Sequence, residues 1–204
     1  MTDDAEAERE NPFERDTLPV SDADELAGVV DLFGTLTAGE LTTALVELAY
    51  RRDGTVDEAA VSDAAADAVA WALERYHLVS YAPADVDAGD GEHDAVSDDA
   101  DAPDETRLTV GPVSFPTIPA EAEDLPHLRD YPTRSVSRAS LAEAVETRLR
   151  GDAARAVAAE DTDRIRTLLD VTYDLEAWAP VDVGTVRMRL DDALAAADGD
   201  ADES

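Results

Sequence analysis

The sequence predicts a mainly α protein of two modules, the first closing on a small β-hairpin and the second wholly helical. Three observations carry that prediction. Apolar residues recur three or four positions apart in six separate stretches, the period of helices that bury one face. Two short runs, Leu78-Val-Ser-Tyr81 and Arg107-Leu-Thr-Val110, read instead as strands, with Gly111-Pro112 turning the chain after the second. Finally, a length of 204 residues interrupted by an acidic insert and a proline-rich stretch suits two small cores better than one large one.

In chain order, residues 1–20 are polar and acidic with Pro12 and Pro19, and are expected to form a disordered acidic tail. The first module spans 21–111. Its first helix carries Leu26, Val29, Val30 and Phe33 inward, with Ser21, Asp22 or Asp24 as N-cap and Gly34 as the stop. Thr37-Ala-Gly-Glu40 has the capping-box form and opens a second helix with Leu41, Ala44, Leu45, Leu48 and Ala49 on one face, closed by Arg51, Arg52 and Gly54. A third runs through Val61, Ala64, Ala65, Ala68, Val69, Ala72, Leu73 and Tyr76, with a kink expected near Ser62. The strands follow, separated by residues 83–106, which hold ten acids and no arginine and are expected to be disordered.

Residues 112–132, with Pro112, Pro116, Pro119, Pro126 and Pro132, read as a proline-rich connector, and Pro116-Thr-Ile-Pro119 within it as a stiff segment. The second module spans 133–197. Ser140-Leu-Ala-Glu143 matches a capping box before Leu141, Val145 and Leu149, and a break is expected at Gly151-Asp152. Ile165, Leu168, Leu169, Thr172 and Tyr173 mark the next helix, Trp178-Ala-Pro180 a break, and Val183, Val186, Leu190 and Leu194 a last helix stopping before Gly199. Residues 198–204 form an acidic tail.

The chain carries 49 Asp and Glu against 16 basic residues, every one an arginine, for a formal charge of -33, and it has no cysteine. This composition resembles that of haloarchaeal cytoplasmic proteins. At about 1 M salt the Debye length is about 3 Å, so the self-repulsion is screened while the carboxylates keep the chain hydrated. Absence of cysteine excludes disulfides, thiolate nucleophiles and cysteine zinc sites. The acidic start MTDDAEAERE lacks the apolar core of a secretory signal, and no stretch approaches 18 apolar residues. The expected location is the cytoplasm, without membrane attachment.

Three helices followed by two strands around a variable loop resemble a winged-helix module, on the segment Leu36-Thr37, Glu40-Leu41, Ala72-Leu73, Tyr76 and Leu78-Val79. The run DELAGVVDLFGTLT at 24–37, with Trp178-Ala-Pro-Val-Asp182, is similar to a haloarchaeal family of unknown function, which implies no activity. A winged helix implies a third helix in the major groove of DNA. The charges oppose this, since residues 57–76 hold Asp57, Glu58, Asp63, Asp67 and Glu74 against Arg75 alone. DNA affinity comes largely from cations neutralising phosphates.

The second half differs. Residues 121–190 hold 14 acids and 10 arginines, leaving 35 acids and 6 arginines for the rest of the chain. These arginines suit either an anion-contacting face or pairing within the chain. Arg134 and Arg138, ahead of the predicted cap, are the candidate partner-binding residues. Catalytic signatures are missing: His77, His93 and His127 have no metal-ligand spacing, and there is no glycine-rich phosphate loop or nucleophile elbow. No cofactor, metal or catalytic residue is therefore expected. The reading is a non-enzymatic protein-interaction or adaptor module with an unknown protein partner, a homodimer being one way to cover alanine-rich helix faces. The alternative is a winged-helix-type DNA-binding transcriptional regulator.

Overall fold

The computed structural model describes residues 11–83, 106–128, 131 and 134–201. It is mainly helical, with a small antiparallel sheet. The chain divides into two compact units, Met1–Ser80 with Asp99–Arg134, and Tyr81–Asp98 with Ser135–Ser204. Most of the acidic insert lies outside the described residues, as do residues 1–10 and 202–204.

The first unit begins earlier than its periodicity suggests. Residues 11–20 contain a 3-10 turn over Pro12–Glu14, held by the Asn11 side chain accepting from the Phe13 N–H, and they bury Leu18 and Val20. Two apolar side chains have too little period to register in a sequence, yet each stabilises by roughly 1.5–3 kcal/mol once covered. Helix α1 (Ala23–Phe33) is capped by Asp22, whose carboxylate accepts from the Glu25 N–H at 2.8 Å, and it buries Leu26, Val29, Val30 and Phe33. Helix α2 (Ala38–Asp53) has the predicted capping box, Glu40 N–H to Thr37 Oγ1 at 3.1 Å and Thr37 N–H to Glu40 Oε2 at 2.8 Å. Helix α3 (Glu58–Glu74) passes Ser62 without a break, the Ser62 hydroxyl donating to the Glu58 carbonyl one turn back.

The hairpin proves to be two strands of a three-stranded sheet. Strands β2 (Leu78–Tyr81) and β3 (Arg107–Val110) fall where expected, and β1 (Leu36–Thr37) adds to the far side of β3 in the order β1-β3-β2. Leu36 pairs with Leu108 and Thr37 with Arg107, antiparallel. Two residues are too few to show an alternating pattern. Buried Leu36, Leu78, Leu108 and Val110 close the core made by α1, α2 and α3. Two residues past the end of α3, Tyr76 turns the chain at φ 64 with its side chain fully buried and delivers His77 to the start of β2. The connector contributes to the core as well: Ala122 and Leu125 are buried, Leu125 opening the short helix α4 (Leu125–Leu128).

The second unit is three helices, α5 (Arg138–Ala159), α6 (Thr162–Trp178) and α7 (Gly184–Ala201), each in contact with the other two. The break expected at Gly151-Asp152 does not occur. Asp152 is held between arginines on both helices, and α5 runs on to Glu160, which ends it at φ 55. The predicted cap at Ser140 is displaced: α5 starts at Arg138 with Ser137 in the cap position, and Ser140 donates its N–H to the Ser137 carbonyl at 3.0 Å. Of the residues assigned inward on α6, Thr172 is buried whereas Tyr173 stands 56% exposed. Helix α7 continues through Gly199.

Candidate functional site

The two candidate arginines fall in different units. Arg134 closes the first, where its Nη1 lies 3.0 and 2.9 Å from the two oxygens of Glu40, with the two side chains only 10% and 17% exposed. Glu40 is the same carboxylate that completes the capping box of α2, so one side chain ties that helix N-terminus to Arg134 at the end of the first unit. The Arg134 carbonyl presses on Gly34, where a Cβ would sit 2.3 Å from it and where φ is +78, a position open to glycine alone. Arg134 thus serves as a clamp between residues 94 apart in sequence.

Arg138 is the exposed first residue of α5. A cation at a helix N-terminus opposes the helix dipole. Here the guanidinium lies over the Trp178 ring at 5.9 Å, a cation–π contact that offsets part of that cost. The remaining arginines of this unit pair mainly with neighbouring acids. Arg148, Arg155 and Arg164 converge on Asp152, Arg150 pairs with Glu146, and Arg166 with Asp163. Arg187 bonds Glu176, donates to the hydroxyl of buried Thr172 at 3.0 Å, and covers the Tyr173 ring at 4.1 Å. The bond from Arg187 holds the Glu176 carboxyl below its ordinary value. Of the two options open in the sequence, pairing within the chain describes these side chains.

A second constellation, which spacing could not reveal, surrounds His77. Its ring stacks on Trp71 at 5.5 Å, and Trp71 also carries Arg75 at 4.4 Å and the edge of Phe13 at 5.6 Å. His77 Nδ1 lies 3.1 Å from Ser114 Oγ and 3.9 Å from Asp24 Oδ1. Ser114 donates its hydroxyl proton to the His77 carbonyl at 3.0 Å, and in that arrangement Oγ accepts from a protonated Nδ1. Burial lowers the His77 pKa, opposed by the charge of Asp24. The acid of this trio also accepts from the Phe115 N–H at 3.0 Å, and its backbone carbonyl from the Thr117 N–H at 3.0 Å.

Residues 24–195 match the model of DUF7109, a family of unknown function. The chain belongs to this family. No curated protein and no solved structure matches it.

The DUF7109 match runs from α1 into α7 and so takes in both units. Within it, the serine, histidine and aspartate look like an acyl-transfer triad but are wired differently. A general base must take the serine proton on one ring nitrogen while the acid holds the other. In this DUF7109 chain both partners meet Nδ1, and the serine proton points to a carbonyl. The arrangement fastens the start of the connector to α1 and to the α3–β2 corner. Among the described residues no group of three or more His, Asp or Glu is placed to hold a metal ion, and no helix is long and apolar enough to cross a membrane.

Proposed function

We propose that this DUF7109 protein is a non-enzymatic protein-interaction module of a haloarchaeal cytoplasm, built on a winged-helix-like first unit. The order α1-β1-α2-α3-β2-β3 with sheet order β1-β3-β2 supports the winged-helix reading, under which α3 would be the recognition helix. The observation that carries the choice of partner is the outward face of that helix. Its exposed positions are Glu58, Ala59, Asp63, Ala66, Asp67 and Glu74, and the neighbouring Arg75 lies on Trp71 and pairs with Glu74. A face of carboxylates repels phosphates, and the counterion-release term that aids DNA binding is weakest in concentrated salt.

Arg138, exposed at the start of α5, is the arginine we assign to partner contact, while Arg134 holds the first unit together. The test is recovery of the full chain from its native cytoplasm in multi-molar KCl, with and without nuclease. The expected result is protein partners that survive nuclease and are weakened by Arg138→Glu, with DNA at background. Recovery of DNA, with every co-purifying protein released by nuclease treatment, would overturn this reading in favour of a DNA-binding regulator, which the order of elements also suits.

A further inference from the structure

Resting on the protein-interaction reading, the geometry points to residues 114–119 as the segment that a partner grips. Residues 108–120 form the longest stretch without a charged side chain in a chain that is 32% charged. Most of its tip is outside the core. Phe115 is 77% exposed and Ile118 49%, and Pro116 and Thr117 between them are exposed too. On the surface of a strongly acidic chain, two large apolar side chains within four residues form a patch that stays exposed among the described residues.

The backbone beneath them is already fixed. Pro116 and Pro119 lock φ, and Phe115 and Ile118, each preceding a proline, are driven to extended conformations. Asp24 takes the N–H of Phe115 on its carboxylate and that of Thr117 on its carbonyl. Gly28 lets the strap lie flat on α1, since a Cβ there would stand 1.9 Å from the Thr117 carbonyl. Little ordering entropy remains to be lost on binding.

The same bonds select the mode of recognition. With two N–H groups tied to Asp24 and two prolines lacking one, the segment has almost no donors left to add as a strand to a partner's sheet. What it offers is a proline-fixed ridge of the exposed side chains of Phe115, Pro116 and Ile118. That chemistry fits a protein groove lined by aromatic side chains.

The experiment uses the full chain and the protein partner retained after nuclease, purified and titrated by calorimetry in multi-molar KCl. Phe115→Ala with Ile118→Ala is expected to weaken binding about tenfold or more, while Tyr173→Ala, exposed on α6, leaves it unchanged. A photo-crosslinking phenylalanine analogue at position 115 is expected to label an aromatic-lined groove of the partner. A partner that binds wild type and double variant equally, or a cross-link joining two copies of this chain, would overturn the assignment of this segment and leave the protein-interaction reading standing. Retention of no protein at all would overturn both.

Discussion

The two units are held by different forces. Residues 11–80 of the first carry 14 acids and 4 arginines, whereas residues 138–190 of the second carry 10 and 8. The first unit relies on a core contributed by α1, α2, α3, the three strands and the connector, on side-chain caps, and on a clamp between distant residues. The second sets Leu141, Val145 and Leu149 of α5 against a comparable row on α6 and α7, and laces its surface with ion pairs three or four residues apart. Such exposed pairs stabilise little individually. The arginines hold residues 138–190 to a net charge of -2 against -10 for residues 11–80, so that these two packed spans, rather than the whole units with their acidic flanks, differ in how much they depend on salt.

The largest expected effect tests that difference. Each unit holds one tryptophan, Trp71 in the first and Trp178 in the second, so Trp178→Phe and Trp71→Phe variants report the units separately. On dilution from multi-molar KCl to about 0.1 M, where the Debye length grows to about 10 Å, Trp71 fluorescence is expected to report unfolding at a higher salt concentration than Trp178. Coincident transitions would show that the charge asymmetry does not govern stability.

A smaller effect contrasts one pair from each unit. Glu40→Ala removes a cap and leaves Arg134, 10% exposed, without its carboxylate; the expected loss in chemical denaturation at constant salt is about 2 kcal/mol. Arg166→Ala breaks a pair with Asp163 that is 57% and 89% exposed, and is expected to leave the midpoint unmoved. Equal losses would mean that both units rest on ion pairing.

The smallest effect belongs to the first unit alone. His77 has a folded pKa below its ordinary 6.5, so the unfolded chain binds the proton more readily. Stability is then full above pH 6.5 and falls as the pH drops from there toward the lowered folded value. His77→Gln is expected to flatten that slope as read by Trp71 fluorescence, and a slope unchanged in the variant would assign it to the carboxylates instead.

Much of the fold was legible in the sequence. The periodicity of Leu26, Val29, Val30 and Phe33 and the capping box at Thr37 and Glu40 placed α1 and α2, and β2 and β3 occur at the predicted residues. Features resting on one or two residues were not legible. Strand β1 has no alternation to read, Leu18 and Val20 have no neighbours in period, and Gly151 looks like a breaker until Asp152 beside it is surrounded by guanidinium groups. The candidate site divided in the same way: the residue types of Arg134 and Arg138 were plain, their partners were not.

The sequence by itself determined the helical class, the two-part organisation, the acidic surface and the uncharged proline segment, because these follow from local period, composition and the fixed φ of proline. Only the tertiary structure decided that Arg134 closes on Glu40, that His77 meets Ser114 and Asp24 through a single nitrogen, and that Phe115 and Ile118 face outward on a strap seated over Gly28. Those contacts join residues tens of positions apart. Their partners are chosen by which groups the packed core brings within hydrogen-bond distance, and no local pattern records that.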